Sequence, residues 1–161
     1  MTNETGLSAS TETSVLSIER SICVDRVTVG DTAHLFSEVD DDRFLDLLEE
    51  SLSTKTLMPR FYGTCRYDLR SEIESIAWSS IAVVVMASVE YTVIDRATGE
   101  LFFETAVSNV FVPVYPYSTS GLNFGNLAQM GVMQANIDTF IDELLTEASR
   151  DPAEPPTTPG S

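Results

Sequence analysis

The sequence is poor in positive charge, histidine, cysteine and tryptophan, and it contains no long apolar run. Nine Lys and Arg stand against 25 Asp and Glu among 161 residues, a formal net charge of −16. Phosphate recognition needs clustered cations, so nucleic acid is excluded as an expected partner. Docking on anionic lipid head groups is excluded on the same ground. The longest apolar stretch, IAVVVMA at 81–87, falls far short of the roughly 18 residues of a spanning helix and reads as a strand. One histidine, His34, and two cysteines that are 42 positions apart leave no ligand set for zinc and no CxxC motif. With no partner for His34, neither Cys23 nor Cys65 reads as a nucleophile.

Other chemical signatures are missing too. There is no GxGxxG or Walker sequence and no GxSxG elbow. The segment GLNFG at 121–125 reads as a loop ahead of a helix. Asp40, Asp41 and Asp42 lack the alternating ligands, central Gly and terminal Glu of a calcium loop, so they are expected to cap a helix. No carboxylate pair stands out in an apolar setting. The sequence therefore predicts no catalytic residue, no metal and no cofactor.

What is present is ordinary globular composition, 43% hydrophobic and 21% charged, at a length that supports one domain. The Ser/Thr-rich segment 1–14 has neither the basic start nor the apolar stretch of a signal peptide and is expected to be flexible. The end, DPAEPPTTPGS, has four prolines and no apolar periodicity, so 149–161 is expected to be a disordered Pro-rich tail. The domain is predicted over 15–148.

Within it, SIERSICVDRVTV (17–29) reads as a first strand ending at a Gly30–Asp31 turn. A helix follows over 43–52, with Phe44, Leu45, Leu48 and Leu52 on one stripe. From 65 to 74, Cys65, Tyr67, Leu69 and Ile73 alternate with Arg66, Asp68, Arg70, Glu72 and Glu74, the mark of a strand with one buried and one wet face. Strands over 80–94 and 101–112 are joined by DRATGE, a hairpin loop. PVYPYSTSGLNF (113–124) reads as a loop, and a second helix is predicted over 126–148. Its stripe is Leu127, Met130, Ile137, Ile141, Leu144 and Ala148, flanked by Phe140 and Leu145. Gly131 inside that helix costs about 1 kcal/mol relative to Ala, which a close helix–sheet approach would explain.

The expected fold class is α+β: a single domain, β-α-β-β-β-α, with a four-stranded, mostly antiparallel sheet and two helices packed on one face. The third and fourth strands are apolar on both faces. Helices on one side would leave Val84, Met86, Ile94, Phe102, Ala106, Val110 and Val112 as a candidate partner or ligand face. Trp78 is expected to pack at a strand end. Cys23 and Cys65 are either two small buried hydrophobes or a disulfide between neighbouring strands, which would imply an oxidising compartment.

In this order of elements, the phrases RSICVDRV, DDRFLDLLEESL, CRYDLRSEIESI, SVEYTVIDRATGELFFETAVS and NIDTFIDELL together resemble small Gram-negative envelope lipoproteins of the YajG-like kind. The layout is also similar to the lipopolysaccharide-assembly lipoprotein and to ABC-type transport auxiliary lipoproteins. The resemblance spans about 17–145. It implies a non-enzymatic adaptor in the periplasm, tethered to the outer membrane by a lipidated cysteine. Cys23 does not fit that role, because Arg20, Ser21 and Ile22 precede it within the first strand. The implied anchor and leader would lie before Met1, with 1–14 as the remainder of a tether.

Three functions fit these features. The first is an accessory domain that binds a protein partner, or a second copy, through the apolar face or a free edge of the third and fourth strands. The second is a carrier or chaperone for an apolar ligand such as a lipid or sterol, with Met86, Phe102, Val110 and Met130 as lining. The third is a cytoplasmic enzyme or assembly factor, which would need His34 or a carboxylate pair in a cleft. The acidity keeps an apolar-faced domain soluble and would steer it to a basic partner, and a halophile-like solvated surface accounts for it equally.

Overall fold

The computed structural model describes residues 18–30, 41–61, 65–79, 84–112 and 121–150, with the backbone alone at 78, 79 and 121–127. Segment 1–14, His34, Asp40, the loop at 113–120 and the tail from 151 lie outside the described residues. The elements are β1 (Ile22–Val29), α1 (Asp41–Thr54), β2 (Tyr67–Ser79), β3 (Val84–Asp95), β4 (Leu101–Phe111) and α2 (Gly121–Ala148). The strands form one sheet in the order β1-β2-β3-β4. β1 and β2 run parallel, and the other two pairs are antiparallel. This is the expected α+β architecture.

Local chemistry accounts for each element. α1 starts at Asp41, whose Oδ1 accepts the Asp42 amide at 3.1 Å. Negative charge in the first turn also complements the positive end of the helix dipole. Its Phe44, Leu48 and Leu52 are fully buried, each such side chain contributing about 1.5–3 kcal/mol by leaving water. Parallel neighbours need a crossover, and α1 supplies it between β1 and β2. Cys23 and Cys65 close that unit as a disulfide, with Cα atoms 5.7 Å apart, inside the span that such bonds accept. The β3–β4 hairpin turns at Gly99, which has φ +72°.

α2 begins five residues earlier than the sequence predicts, because GLNFG forms its first turns and not a loop. It packs on β3 and β4 and meets α1 along its flank. Both helices thus cover one face, and the core lies between. Tyr91 stacks on Phe140 at 4.1 Å between centroids, and Val85, Val89, Val93 and Val107 complete the sheet side. The helix contact at Gly131 is close: a Cβ there would stand 2.5 Å from the Phe111 ring.

Two irregularities change which side chains face the core. A bulge between Ile73 and Ser75 shifts the phase of β2, so that Ile76, not Ser75, is buried. A second, between Val93 and Ile94, places Leu101 opposite Ile94 and leaves Phe102 as the extra residue. Strict alternation predicts Leu101 inside and Phe102 outside. The structure instead leaves Leu101 57% exposed and packs Phe102 on the core ring of Tyr67, with centroids 4.6 Å apart.

Candidate functional site

The sheet face away from the helices is the part of the domain whose chemistry packing does not explain. Register resolves it into rows that run across β2, β3 and β4. Ala77, Met86 and Val110 form the first row, and Ser75, Ser88 and Ser108 the next. Glu72, Glu90 and Ala106 follow, then Arg70, Thr92 and Glu104. The face therefore grades from apolar at one end, through small hydroxyls, to charged at the other.

The charged end is internally satisfied. Arg70 Nε donates to Asp25 at 2.8 Å, and Arg96 Nε donates to Asp68 at 3.1 Å. Arg66 stands 3.6 Å from Asp95. The hydrogen bond to Asp68 holds the Arg96 guanidinium more firmly protonated than usual. Ser88 donates to Glu74 at 2.7 Å and so accepts from the Ser108 hydroxyl at 3.0 Å. Glu72 and Glu90 oppose each other directly, but Arg26 and Arg70 line the same groove and offset them. Exposed pairs of this kind are screened by water and add little to stability, so this end reads as a solvated lattice.

The apolar end has no such account. Met86 is 43%, Val110 60% and Val112 64% exposed. Val84 shares their face by alternation along β3 and is half-buried. Of the seven residues predicted for this face, the structure brings Val84, Met86, Val110 and Val112 together. Ala106 lies apart in the row with Glu72 and Glu90, and Ile94 lies at the far end beside Leu101. Phe102 faces Tyr67 in the core. The four residues considered as a ligand lining do not converge. Met86 and Val110 are on the open face, Phe102 is in the core layer, and Met130 sits on α2 where Arg43 Nη2 donates to its sulfur at 2.9 Å.

A polar network at the opposite face escaped the sequence reading. Asn136, buried on α2, accepts the Tyr91 hydroxyl at 2.6 Å and donates to the Val107 carbonyl and to Asn109 Oδ1. Burial pushes the Tyr91 hydroxyl well above its ordinary value. The signal was a polar residue at a buried position of the α2 spacing, between Met133 and Phe140. Among the described residues, no three His, Cys, Asp or Glu side chains group so as to hold a metal, and no helix is long and apolar enough to cross a membrane.

No protein-family model matches the chain, and no curated relative matches it in sequence. Solved structures do share the fold. CT253 of Chlamydia trachomatis superposes with a TM-score of 0.58 at 12% identity, covering 81% of this chain and 98% of that one. A candidate lipoprotein of Caulobacter crescentus gives 0.56 at 15% identity, covering 86% and 98%. The PelC dodecamer of Paraburkholderia phytofirmans gives 0.52 at 13% identity, covering 83% and 92%. At such identities the likeness is one of fold. The fold is thus shared with one bacterial candidate lipoprotein among these.

Proposed function

We propose that this chain is a non-enzymatic accessory domain of the bacterial envelope that binds a protein partner through the open face of β3 and β4 or the outer edge of β4. The observation that carries the reading is the exposed cluster of Met86, Val110 and Val112 on a face whose other end is ion-paired. Solvent-exposed apolar side chains that are contiguous on a sheet mark a contact surface more often than scattered ones do. The fold shared with a candidate lipoprotein supports an envelope setting. The Cys23–Cys65 bond supports an oxidising one, as in the periplasm. A tether to the outer membrane and kinship with the YajG-like, lipopolysaccharide-assembly or transport-auxiliary lipoproteins belong to the same proposal.

Self-association through the same face is the second reading, favoured because PelC, of similar fold, is a dodecamer. The carrier reading is weakened by the scatter of its lining residues over three layers of the domain.

The test is photo-crosslinking in a Gram-negative host, with benzoylphenylalanine replacing Val110 and, as control, Glu49 on α1. A protein adduct at position 110 and none at 49 is the expected result. An adduct at twice the chain mass converts the reading to self-association, and a lipid-sized adduct converts it to the carrier. Equal yields at both positions would sink the proposal.

A further inference from the structure

β4 lacks most of the devices that keep a sheet edge from pairing. Its sequence, LFFETAVSNVF, spans 11 residues with one charge, Glu104, and no proline. It pairs with β3 on one side, and among the described residues no strand lies on the other. Natural edges are short, bulged, interrupted by Pro or studded with Lys. Here the one bulge falls at Phe102 and leaves Phe103–Phe111 in regular register.

A groove runs beside this edge, between the core side of β4 and the C-terminal half of α2. Phe103 and Thr105 form one wall, Asp142, Glu143 and Glu147 the other, and Arg150 closes the end. Thr105 Oγ1 donates to Glu143 at 2.6 Å, and Arg150 is held by Glu147 at 3.1 Å. α2 carries Asp138, Asp142, Glu143 and Glu147 and no Lys or Arg. Three of these acids sit in its last two turns, where they oppose the helix dipole and cost stability. Thr105 and Arg150 each engage one of these carboxylates, yet all three acids still line the groove.

An added strand would present alternate side chains to the two sides of the sheet. On the helix side they would meet carboxylates, and on the open side Val110 and Val112. We propose that β4 accepts an extended segment of a basic partner protein as a fifth strand, with Lys or Arg over Asp142, Glu143 and Glu147 and apolar side chains against Val110 and Val112. The inference rests on the protein-binding reading above and names its partner's chemistry. A second copy is the poorer occupant, because its β4 brings Glu104 and no cation, and each chain carries a net charge of −16.

The test titrates the labelled full chain with an acetylated peptide alternating Lys and Val over one strand length, read by amide shifts. An alternating Glu and Val peptide, and a Lys and Val peptide interrupted by Pro, are the controls. The basic peptide is expected to shift the amides of Leu101–Phe111, and both controls to leave them in place. The variant Asp142→Asn, Glu143→Gln, Glu147→Gln is expected to weaken binding about tenfold and to raise the melting temperature. Asp46→Asn, Glu49→Gln, Glu50→Gln on α1 is expected to leave binding unchanged. Equal weakening by both triple variants means diffuse attraction and overturns the proposal, as do shifts confined away from β4. Peptide failure with the crosslink at position 110 intact sinks the strand addition alone. Loss of that crosslink sinks the protein-binding reading as well.

Discussion

The hydroxyl of Tyr91 on β3 donates to Oδ1 of Asn136 on α2 at 2.6 Å, and both residues are fully buried. Asn136 spends its own two protons on the Val107 carbonyl at 2.9 Å and on Asn109 Oδ1 at 2.8 Å. One amide thus ties α2 to both strands that carry the open apolar corner, and it fixes the helix against β4 beside the acidic groove. Tyr91→Phe is expected to destabilise by about 1 kcal/mol, and Asn136→Leu by about 1–3 kcal/mol for each buried group left unpaired. The double variant should lose less than the sum, because the two changes share one bond. Urea unfolding of the four proteins measures this, and strict additivity would show the bond to be idle.

The same burial makes stability depend on pH. Tyr91's hydroxyl is held well above its usual value by desolvation, so the folded chain keeps its proton where the unfolded chain releases it. Its contribution is therefore complete below the ordinary tyrosine value of about 10 and declines as pH rises past it. Melting temperature should fall more steeply above pH 10 in the parent than in Tyr91→Phe. Parallel curves would contradict this.

Much of the architecture was legible because period-two alternation at Tyr67, Leu69 and Ile73, and the stripe of Phe44, Leu48 and Leu52, directly encode which side faces the core. One misreading falls where a bulge breaks that period: Leu101 and Phe102 exchange sides after the shift at Ile94. GLNFG reads as a loop through its two glycines, yet it forms helix. Val84, Met86, Val110 and Val112 could be assigned to one face by alternation along single strands. That Ala106 falls in a row with two glutamates depends on cross-strand register, which a single strand's pattern does not carry.

The disulfide is expected to be structural. It closes a loop with a sequence separation of 42, worth about 4 kcal/mol in the chain-entropy account. Cys23→Ser with Cys65→Ser, or reduction of the parent, should lower the urea midpoint by a corresponding amount. A midpoint that is insensitive to reductant would indicate that β1, α1 and β2 hold together without the bond.

Gly131 and Phe111 set the distance between α2 and β4. A methyl group at 131 would stand 2.5 Å from the ring, so Gly131→Ala forces a shift costing about 1–3 kcal/mol. Helix propensity returns about 1 kcal/mol, leaving a net loss. In a Phe111→Leu background the clash is relieved, and the same substitution should become neutral or stabilising. Loss of equal size in both backgrounds would place the strain elsewhere.

The open apolar corner should matter little to folding. Met86 and Val110 are 43% and 60% exposed, whereas Val107, three residues before Val110 on the same strand, is 4% exposed. Met86→Gln and Val110→Thr are each expected to change stability by less than about 0.5 kcal/mol, while Val107→Ala should cost about 2 kcal/mol through lost burial and a cavity. Unfolding midpoints separate the two groups directly. If Val110→Thr costs as much as Val107→Ala, the corner is part of the core of this fold, and exposed apolar area there no longer speaks for a partner. If it is neutral, folding does not require these side chains, and the proposed contact surface remains free to use them.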